Sequence, residues 1–500
     1  MRLTPAALAQ LAISGDVGVP GYEPAQVQVG MVHLGLGNFH RAHQAVYTDA
    51  ILRQDPRWGI CGVSLRSRGV TDALNAQGGL YTLLERGPAA GVTNLRARVI
   101  GSLREALCGA DGMAPVIARI ADPATHIVSL TVTEKGYCHD PASGQLNAAH
   151  PDVVHDLAHA DAPRSALGVL LRGLQARRAH GAPLTVVCCD NLPHNGATLR
   201  KLTLQLAGMM DDGLAQWVEC EIAFPSTMVD RIVPASTDAD RALVRELGIA
   251  DDAPLSTEPF SQWVIEDNFA TPRPPWEDAG AQLVTDVAPF ELMKLRLLNG
   301  AHSTLAYLGY LAGHDYIYQV SGEAAFRHLL RALWAELAPT LAPLPGVDLA
   351  AYQNDLLARF QNSALPHRTW QIAMDGSQKL PQRLLGAARE RLARGFCVDA
   401  IALAVAGWMR YVGGVDERGA AIDVRDPLAA DYAAIAARAQ GNPRALAEGL
   451  LGLTAVFGEE LAAHPKFRAR VIAHLQDLHS AGAAATIAHL YPTCGGRAAS

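Results

Sequence analysis

The stretch ELMKLRLLNGAHSTLAYLGYLAG, residues 291–313, sets Lys294, Asn299 and His302 among leucines and alanines. Those three residue types suit one reaction. Interconverting a secondary alcohol and a ketone by hydride transfer needs a proton acceptor and donors for the oxygen that becomes alkoxide-like. A lysine serves as the base when burial or a neighbouring cation lowers its pKa. Amide and imidazole donors already aimed at that oxygen stabilise the transition state. On an α-helical wheel the three residues fall at about 0°, about 140° and about 80°, a broad common side. Leu292, Leu295, Leu297 and Leu298 supply the packing. A snorkelling lysine, a cap asparagine and a hydrogen-bonded core histidine account for the same letters, so spacing alone leaves both readings open.

Other polar residues stand where apolar runs stop. VVCCDNLPHNG ends a strand-like run at Asp190 and Asn191, and open α/β sheets place ligand loops at such strand ends. Asn191 can donate to a substrate oxygen or simply cap a turn. In TMVDRIVP, Asp230 suits polyhydroxyl recognition, with Arg231 as a simple ion-pair partner. In TVTEKGY, Glu134 and Lys135 follow another strand end, either bordering a nicotinamide or as a solvated pair.

The elements that would position these groups are legible as patterns. TPAALAQLA reads as a short helix capped by Thr4, with Pro5 in its first turn. VQVGMVHLGLG then runs as a strand into a glycine turn, NFHRAHQAVYTDAILRQ reads as a helix, and WGICGVSL as the next strand. Strand, glycine turn, helix and strand in this order open a nucleotide-binding βαβ unit. Gly35 suits the tight turn and Gly37 the close approach of a pyrophosphate. Asn38, Phe39 and His40 begin the helix whose N–H groups would face the phosphates, with His40 at the usual third glycine. A structural turn in another α/β protein is the competing reading.

Runs at HIVSLTV and PLTVVCCD extend the pattern to a parallel sheet covered on both faces. After the second strand, SLRSRGVTD offers Arg66 and Arg68 before any acid. Paired guanidinium groups suit the 2′-phosphate of NADP, whereas NAD sites commonly put an acid there. Solvent-facing arginines explain the letters equally, and Asp72 could swing back, so NAD or NADP stays open. Beyond about residue 285 helical patterning dominates. The expected boundaries are 1–285 for the nucleotide domain and 286–500 for a mainly helical substrate domain.

Several of these stretches together resemble the mannitol dehydrogenase family of polyol-specific long-chain dehydrogenases. The matching segments are VHLGLGNFHRAHQAVYTD, SLTVTEKGYC, CCDNLPHNG, FPSTMVDRIVP, EPFSQWVIEDNF and FELMKLRLLNGAHSTLAYLGYLAG, running through residues 30–415. The resemblance implies an α/β Rossmann-like N-terminal domain with a mainly α-helical C-terminal domain, NAD or NADP as cofactor, and no catalytic metal. It implies Lys294 as the catalytic lysine. Asn191, Asn299 and His302 would be alkoxide-stabilising and substrate-binding, with Asp230 near the polyol. It makes His40 part of the family pattern, while the family's NAD-binding acid has no match in SLRSRG.

HRTWQIAMDGSQKLPQRLL, residues 367–385, resembles the branch that interconverts D-mannonate and D-fructuronate. A substrate carboxylate asks for an added cation, and His367, Arg368 and Lys379 are candidates, or ordinary surface cations. CGVSLRS and ALNAQGGLYTLLERG look like the branch that oxidises D-mannitol to D-fructose, which is the alternative. A non-catalytic Rossmann-like sensor is a third reading.

Bulk composition excludes other classes. The chain has 500 residues, 49% hydrophobic, with a formal net charge of −7 that gives nucleic acid no footing. RRAH at 177–180 reads as a solvated helix end. No apolar run is long enough to span a membrane and no secretory signal opens the chain, so a cytoplasmic protein with a small polyol or sugar-acid partner is expected. Monomer and homo-oligomer are equally open. The eight cysteines form no CxxC pair and read as buried free thiols. Cys138-His139 lacks further zinc ligands at a definite spacing, and the tail CGGRAAS reads as frayed.

Overall fold

The computed structural model describes residues 1–87, 94–140, 143–344 and 346–492. Cys494 and the CGGRAAS tail lie outside the described residues. The chain divides into two compact units, Met1–Ala288 and Pro289–Ser500.

The first unit is built on six strands: β1 Val29–Leu34, β2 Gly59–Ser64, β3 Leu103–Cys108, β4 Ile127–Leu130, β5 Leu184–Cys188 and β6 Ile222–Ala223. Their spatial order is β6-β5-β4-β1-β2-β3 and every pairing is parallel. That is the 3-2-1-4-5-6 order of the dinucleotide-binding fold, whose strand order reverses beside β1. Burial on both faces explains why β1 and β4 are mainly apolar, with His33 and Ser129 as their buried polar exceptions. Val32 and Leu34 enter one core with Val128, Leu130 and the helix Ala166–Arg177. Met31 and Ile127 enter the core on the opposite face with Ile60 and Trp58.

Several details depart from the sequence expectations for physical reasons. Residues Pro5–Ala7 form a 3-10 turn before the helix Leu8–Ser14, and Thr4 makes no capping hydrogen bond. The helix after the glycine turn breaks at His43, giving Asn38–Ala42 and Gln44–Ile51. Arg177 is buried rather than solvated: its guanidinium donates to the carbonyls of Ile120, Asp122, Ala182 and Pro183. Those four acceptors satisfy a charge that burial would otherwise make costly. Of the cysteines, Cys61, Cys108, Cys138, Cys188 and Cys189 are buried, whereas Cys220 and Cys397 are exposed.

Two three-stranded sheets and the short antiparallel pair His139–Asp140 with Gln145–Leu146 accompany the six-stranded sheet in this unit. Thr227–Asp230 pairs antiparallel with Gln262–Glu266, which pairs parallel with Gln282–Val284. Tyr81–Gly87 pairs antiparallel with Asn94–Ile100 and parallel with Leu255–Thr257.

Among the described residues every named element of the second unit is a helix, joined by loops. Its core gathers around Asp399–Val412, whose alanine-rich sequence lets Ala301–Leu311 and Pro465–Ala481 pack closely. Gly407 lies against Leu308, where any side chain would overlap the leucine methyls. Two stretches are π-helical, Lys294–Gly300 and Pro381–Leu385, and they pack on one another. Among the described residues no helix is long and apolar enough to cross a membrane.

Candidate functional site

In the first unit the turn after β1 adopts the geometry its glycines allow. Gly35 has φ +101°, and a Cβ there would collide with the Thr131 carbonyl. Gly37 is extended, and a Cβ would meet nothing closer than the Gly35 carbonyl at 3.8 Å. Open space over Gly37 is the cradle that a closely approaching diphosphate needs.

The turn is propped from beneath by histidines. His33 bonds Ser129 Oγ at 2.8 Å and Thr131 Oγ1 at 2.8 Å, and its second nitrogen also lies 3.2 Å from the Gly35 carbonyl. The His40 ring stacks on His33 with centroids 3.4 Å apart, so the residue at the usual third glycine is core packing. Burial pushes the pKa of His33 down to about 3 and that of His40 well below the ordinary histidine value, keeping the stack neutral.

A cavity of about 500 Å³ opens beside this turn. Gly35, Leu36 and Gly37 form one end, Ser64–Ser67 follow β2, and Thr131–Thr133 with Lys135 follow β4. Cys138, Asp152, Arg164 and Ser165 close the remaining wall. The residues present fit a dinucleotide: a glycine cradle at a strand-order reversal, backbone donors and polar walls.

Of the sequence-selected cofactor residues, Gly35, Gly37, Arg66 and Lys135 line this cavity. Asn38, Phe39, His40, Arg68 and Glu134 are not among its walls. Asn38 instead donates to Pro234 and Ser236 and accepts from Arg41 at 2.6 Å, and Phe39 stacks on His43. Arg68 pairs with Asp111 on the surface. Arg66 reaches Asp152 at 3.4 Å.

The loop after β4 is held by Asp190. Its carboxylate accepts from Val132 N at 2.8 Å, Thr133 N at 3.1 Å and the Tyr137 hydroxyl at 2.6 Å. Thr133 sits at φ +66°, a conformation that costs a non-glycine residue about 1–3 kcal/mol and persists only where neighbours enforce it. Burial raises the Asp190 pKa while these donors hold it down. Asn191 follows directly and is exposed.

Asp230 is buried at the end of its strand. Arg231 pairs with Glu85 at 2.6 Å and donates to the carbonyls of Ala42 and Glu258. Cys138, His150 and Asp152 also bring their potential ligand atoms within 4.8 Å of one another. That juxtaposition was hidden because His139, the sequence neighbour, is not the histidine involved. His150 Nδ1 accepts from Asp152 N at 3.2 Å, and burial pushes the Cys138 thiol up to about 11.

In the second unit, Lys294 is buried at the first position of the π-helical stretch that ends at Gly300. Hydrogen bonding there runs from i to i+5, so Lys294 and Asn299 stand a little more than one turn apart. The α-helical wheel, which separates them by about 140°, does not apply to this segment. His302 follows on Ala301–Leu311, its ring 5.4 Å from Phe360 and 5.6 Å from His367. Burial, then the charges of His367, Arg383, Lys379 and Arg359, push its pKa well below the ordinary value. His367 is lowered to about 4 by burial and by Arg359.

Arg383, on the second π-helical stretch, donates to Ser303 Oγ at 2.9 Å and to the Asn299 carbonyl at 3.4 Å. Lys379 donates to the Met374 carbonyl at 2.6 Å. Arg368 stands apart from this group: it is exposed, with its guanidinium over the Tyr316 ring. Around His302 the sequence-selected His367 and Lys379 are joined by Arg359 and Arg383, which no sequence motif had singled out, and Arg383 reaches back to the Asn299 carbonyl.

Comparison with known proteins places both units. Residues 29–278 match the mannitol dehydrogenase Rossmann domain and residues 286–479 the mannitol dehydrogenase C-terminal domain. The D-mannonate oxidoreductase of Escherichia coli is 48% identical, over 95% of this chain and 98% of that protein. A mannitol 2-dehydrogenase of Phaeosphaeria nodorum is 40% identical, over 95% of this chain and 83% of that one. Among solved structures, Pseudomonas fluorescens mannitol 2-dehydrogenase in a ternary complex with NAD and D-mannitol superimposes with a TM-score of 0.86. It is 38% identical, covering 98% of this chain and 99% of that one.

Proposed function

The chain belongs to the mannitol dehydrogenase family of oxidoreductases, and from that premise we propose that it interconverts D-mannonate and D-fructuronate. The observation that carries the sugar-acid reading is the cationic surround of His302. Arg383, Lys379 and Arg359 bear their charges near that one imidazole, and a carboxylate substrate needs such charge-assisted donors. The 48% identity to a D-mannonate oxidoreductase supports it.

When bound, a nicotinamide dinucleotide exchanges the hydride; the relative crystallised with NAD supports NAD in this role. The chain's own residues do the rest. In the oxidative direction neutral Lys294 takes the proton of the secondary hydroxyl at Nζ. The amides of Asn191 and Asn299 donate to the oxygen as charge develops on it, and His302 orients the sugar chain. Asp230 accepts from the polyol hydroxyls. In reduction the Lys294 ammonium returns the proton. Each preorganised donor of this type contributes a few kcal/mol to transition-state stabilisation.

Interconversion of D-mannitol and D-fructose is the second reading, favoured by the 38% identical relative crystallised with D-mannitol. A spectrophotometric comparison separates the two. D-mannonate and D-mannitol are offered with NAD and with NADP, and D-fructuronate and D-fructose with the reduced cofactors. The acid pair turning over at least tenfold faster supports the proposal. Strong mannitol oxidation with negligible mannonate oxidation replaces it, and no turnover with any pairing favours a sensor.

A further inference from the structure

Strand β2 ends at Ser64, and Leu65-Arg66-Ser67-Arg68 follow without an acid. A dinucleotide-binding fold ordinarily recognises the adenosine ribose through a carboxylate at this strand end. The cavity beside the glycine turn nevertheless has one. Asp152, near the start of the helix Pro151–Ala158, lines the wall facing Ser64–Ser67. Its Oδ2 lies 3.4 Å from Arg66 Nη2. Arg164 lines the same wall.

Two outcomes compete in this corner. Arg66 and Arg164 offer guanidinium groups that could grip a ribose 2′-phosphate. Asp152 offers a carboxylate that accepts from a ribose 2′-hydroxyl and repels a phosphate. Arg66 is already engaged by that carboxylate, and a phosphate entering beside Asp152 would have to displace the pairing against like charge.

We propose that Asp152 is the ribose-recognising acid of this chain, supplied across the cavity from the segment between β4 and β5, and that it selects NAD over NADP. Arg66 serves as the partner that holds the carboxylate toward the cavity. The proposal rests on the reading that the chain binds a nicotinamide dinucleotide, and it is independent of the sugar substrate. Cys138 and His150 beside Asp152 suggest a cation as the rival occupant. Two of those three groups are already committed, His150 Nδ1 to the Asp152 N–H and Asp152 to Arg66.

The test is direct binding without any sugar present. Dissociation constants for NADH and NADPH are measured by fluorescence titration on the wild type, Asp152→Asn and Arg66→Ala, with and without EDTA. Thermal midpoints confirm folding. The wild type should bind NADH more tightly than NADPH. Asp152→Asn should weaken NADH by about tenfold or more, the loss of one charge-assisted hydrogen bond, and tighten NADPH. Arg66→Ala should leave NADH the preferred ligand, and EDTA should change neither affinity. An unchanged NADH-to-NADPH ratio in Asp152→Asn overturns the assignment. So does wild-type preference for NADPH, or loss of NADH affinity in EDTA. If neither dinucleotide binds the wild type, it is the dinucleotide reading itself that fails.

Discussion

Lys294 and Asn299 are five residues apart on a π-helical stretch, whose wider i to i+5 hydrogen bonding makes that step a little more than one turn. An α-helix would turn the two side chains well away from each other. The π-helical register therefore brings Lys294 and Asn299 nearer to one face than α-helical spacing would. Arg383 bonds to the Asn299 carbonyl and Ser303 Oγ, linking the far end of this stretch to the second π-helical segment.

From this alignment, Lys294→Ala is expected to lower kcat by about 100-fold to 10000-fold, the range for losing a positioned acid–base group. Dinucleotide affinity should stay at the wild-type level. Steady-state kinetics and a cofactor fluorescence titration check both halves. Wild-type turnover in the variant would remove Lys294 from the mechanism.

The two turn glycines should fail in different ways. Gly35→Ala places a side chain against the Thr131 carbonyl at φ +101°, so it should lower the thermal midpoint and abolish cofactor binding together. Gly37→Ala meets only ordinary contact distance, so it should fold with the wild-type midpoint. It would nonetheless intrude on the diphosphate cradle, and its dinucleotide affinity should fall about tenfold or more, since one intruding methyl costs about 1–3 kcal/mol. A Gly37→Ala protein that binds normally would show the cradle to lie elsewhere.

Sequence reading reached the parallel sheet because strands buried on both faces are near-continuous apolar runs, as Val29–Leu34 and Leu184–Cys188 are apart from His33 and Thr185. It placed Gly35 and Gly37 because a tight turn requires the first and a ligand the second. It could not see the π-helical register, because wheel arithmetic presumes α-helical spacing. The resemblance accounts for His40 at the third glycine position, but not for the stacking of its ring on His33, a pairing that composition does not encode. Asp152 lies 86 residues from Arg66, and Arg383 lies 80 from Ser303, so neither pairing has any local signal.

Substrate choice should respond to Arg383. Arg383→Met removes a cation from the group around His302 and is expected to lower kcat/KM for D-mannonate by about 10–100-fold, the worth of a charged hydrogen bond. Activity on D-mannitol should change by much less. Equal losses on both substrates would mean that Arg383 acts by holding Asn299 and Ser303 rather than by meeting a carboxylate.

Acid sensitivity follows from the same buried imidazoles. His367 titrates at about 4 and His33 at about 3 in the folded chain, while an unfolded histidine titrates near 6.5. Between 6.5 and those values the unfolded state holds more protons. Stability contributed by the neutral rings is therefore complete above pH 6.5 and falls as pH drops, levelling off below the folded values. Within its window each ring removes about 1.4 kcal/mol per pH unit. Asp49 and Asp190, pushed up by burial, act oppositely just above their ordinary value of 3.8. The cleanest measurement is a difference. Between pH 7.5 and 5, thermal midpoints of His367→Asn should decline less steeply than those of the wild type, with the two curves parallel above pH 6.5. Parallel curves throughout would mean that His367 titrates alike in the folded and unfolded chains, and that burial does not hold it neutral.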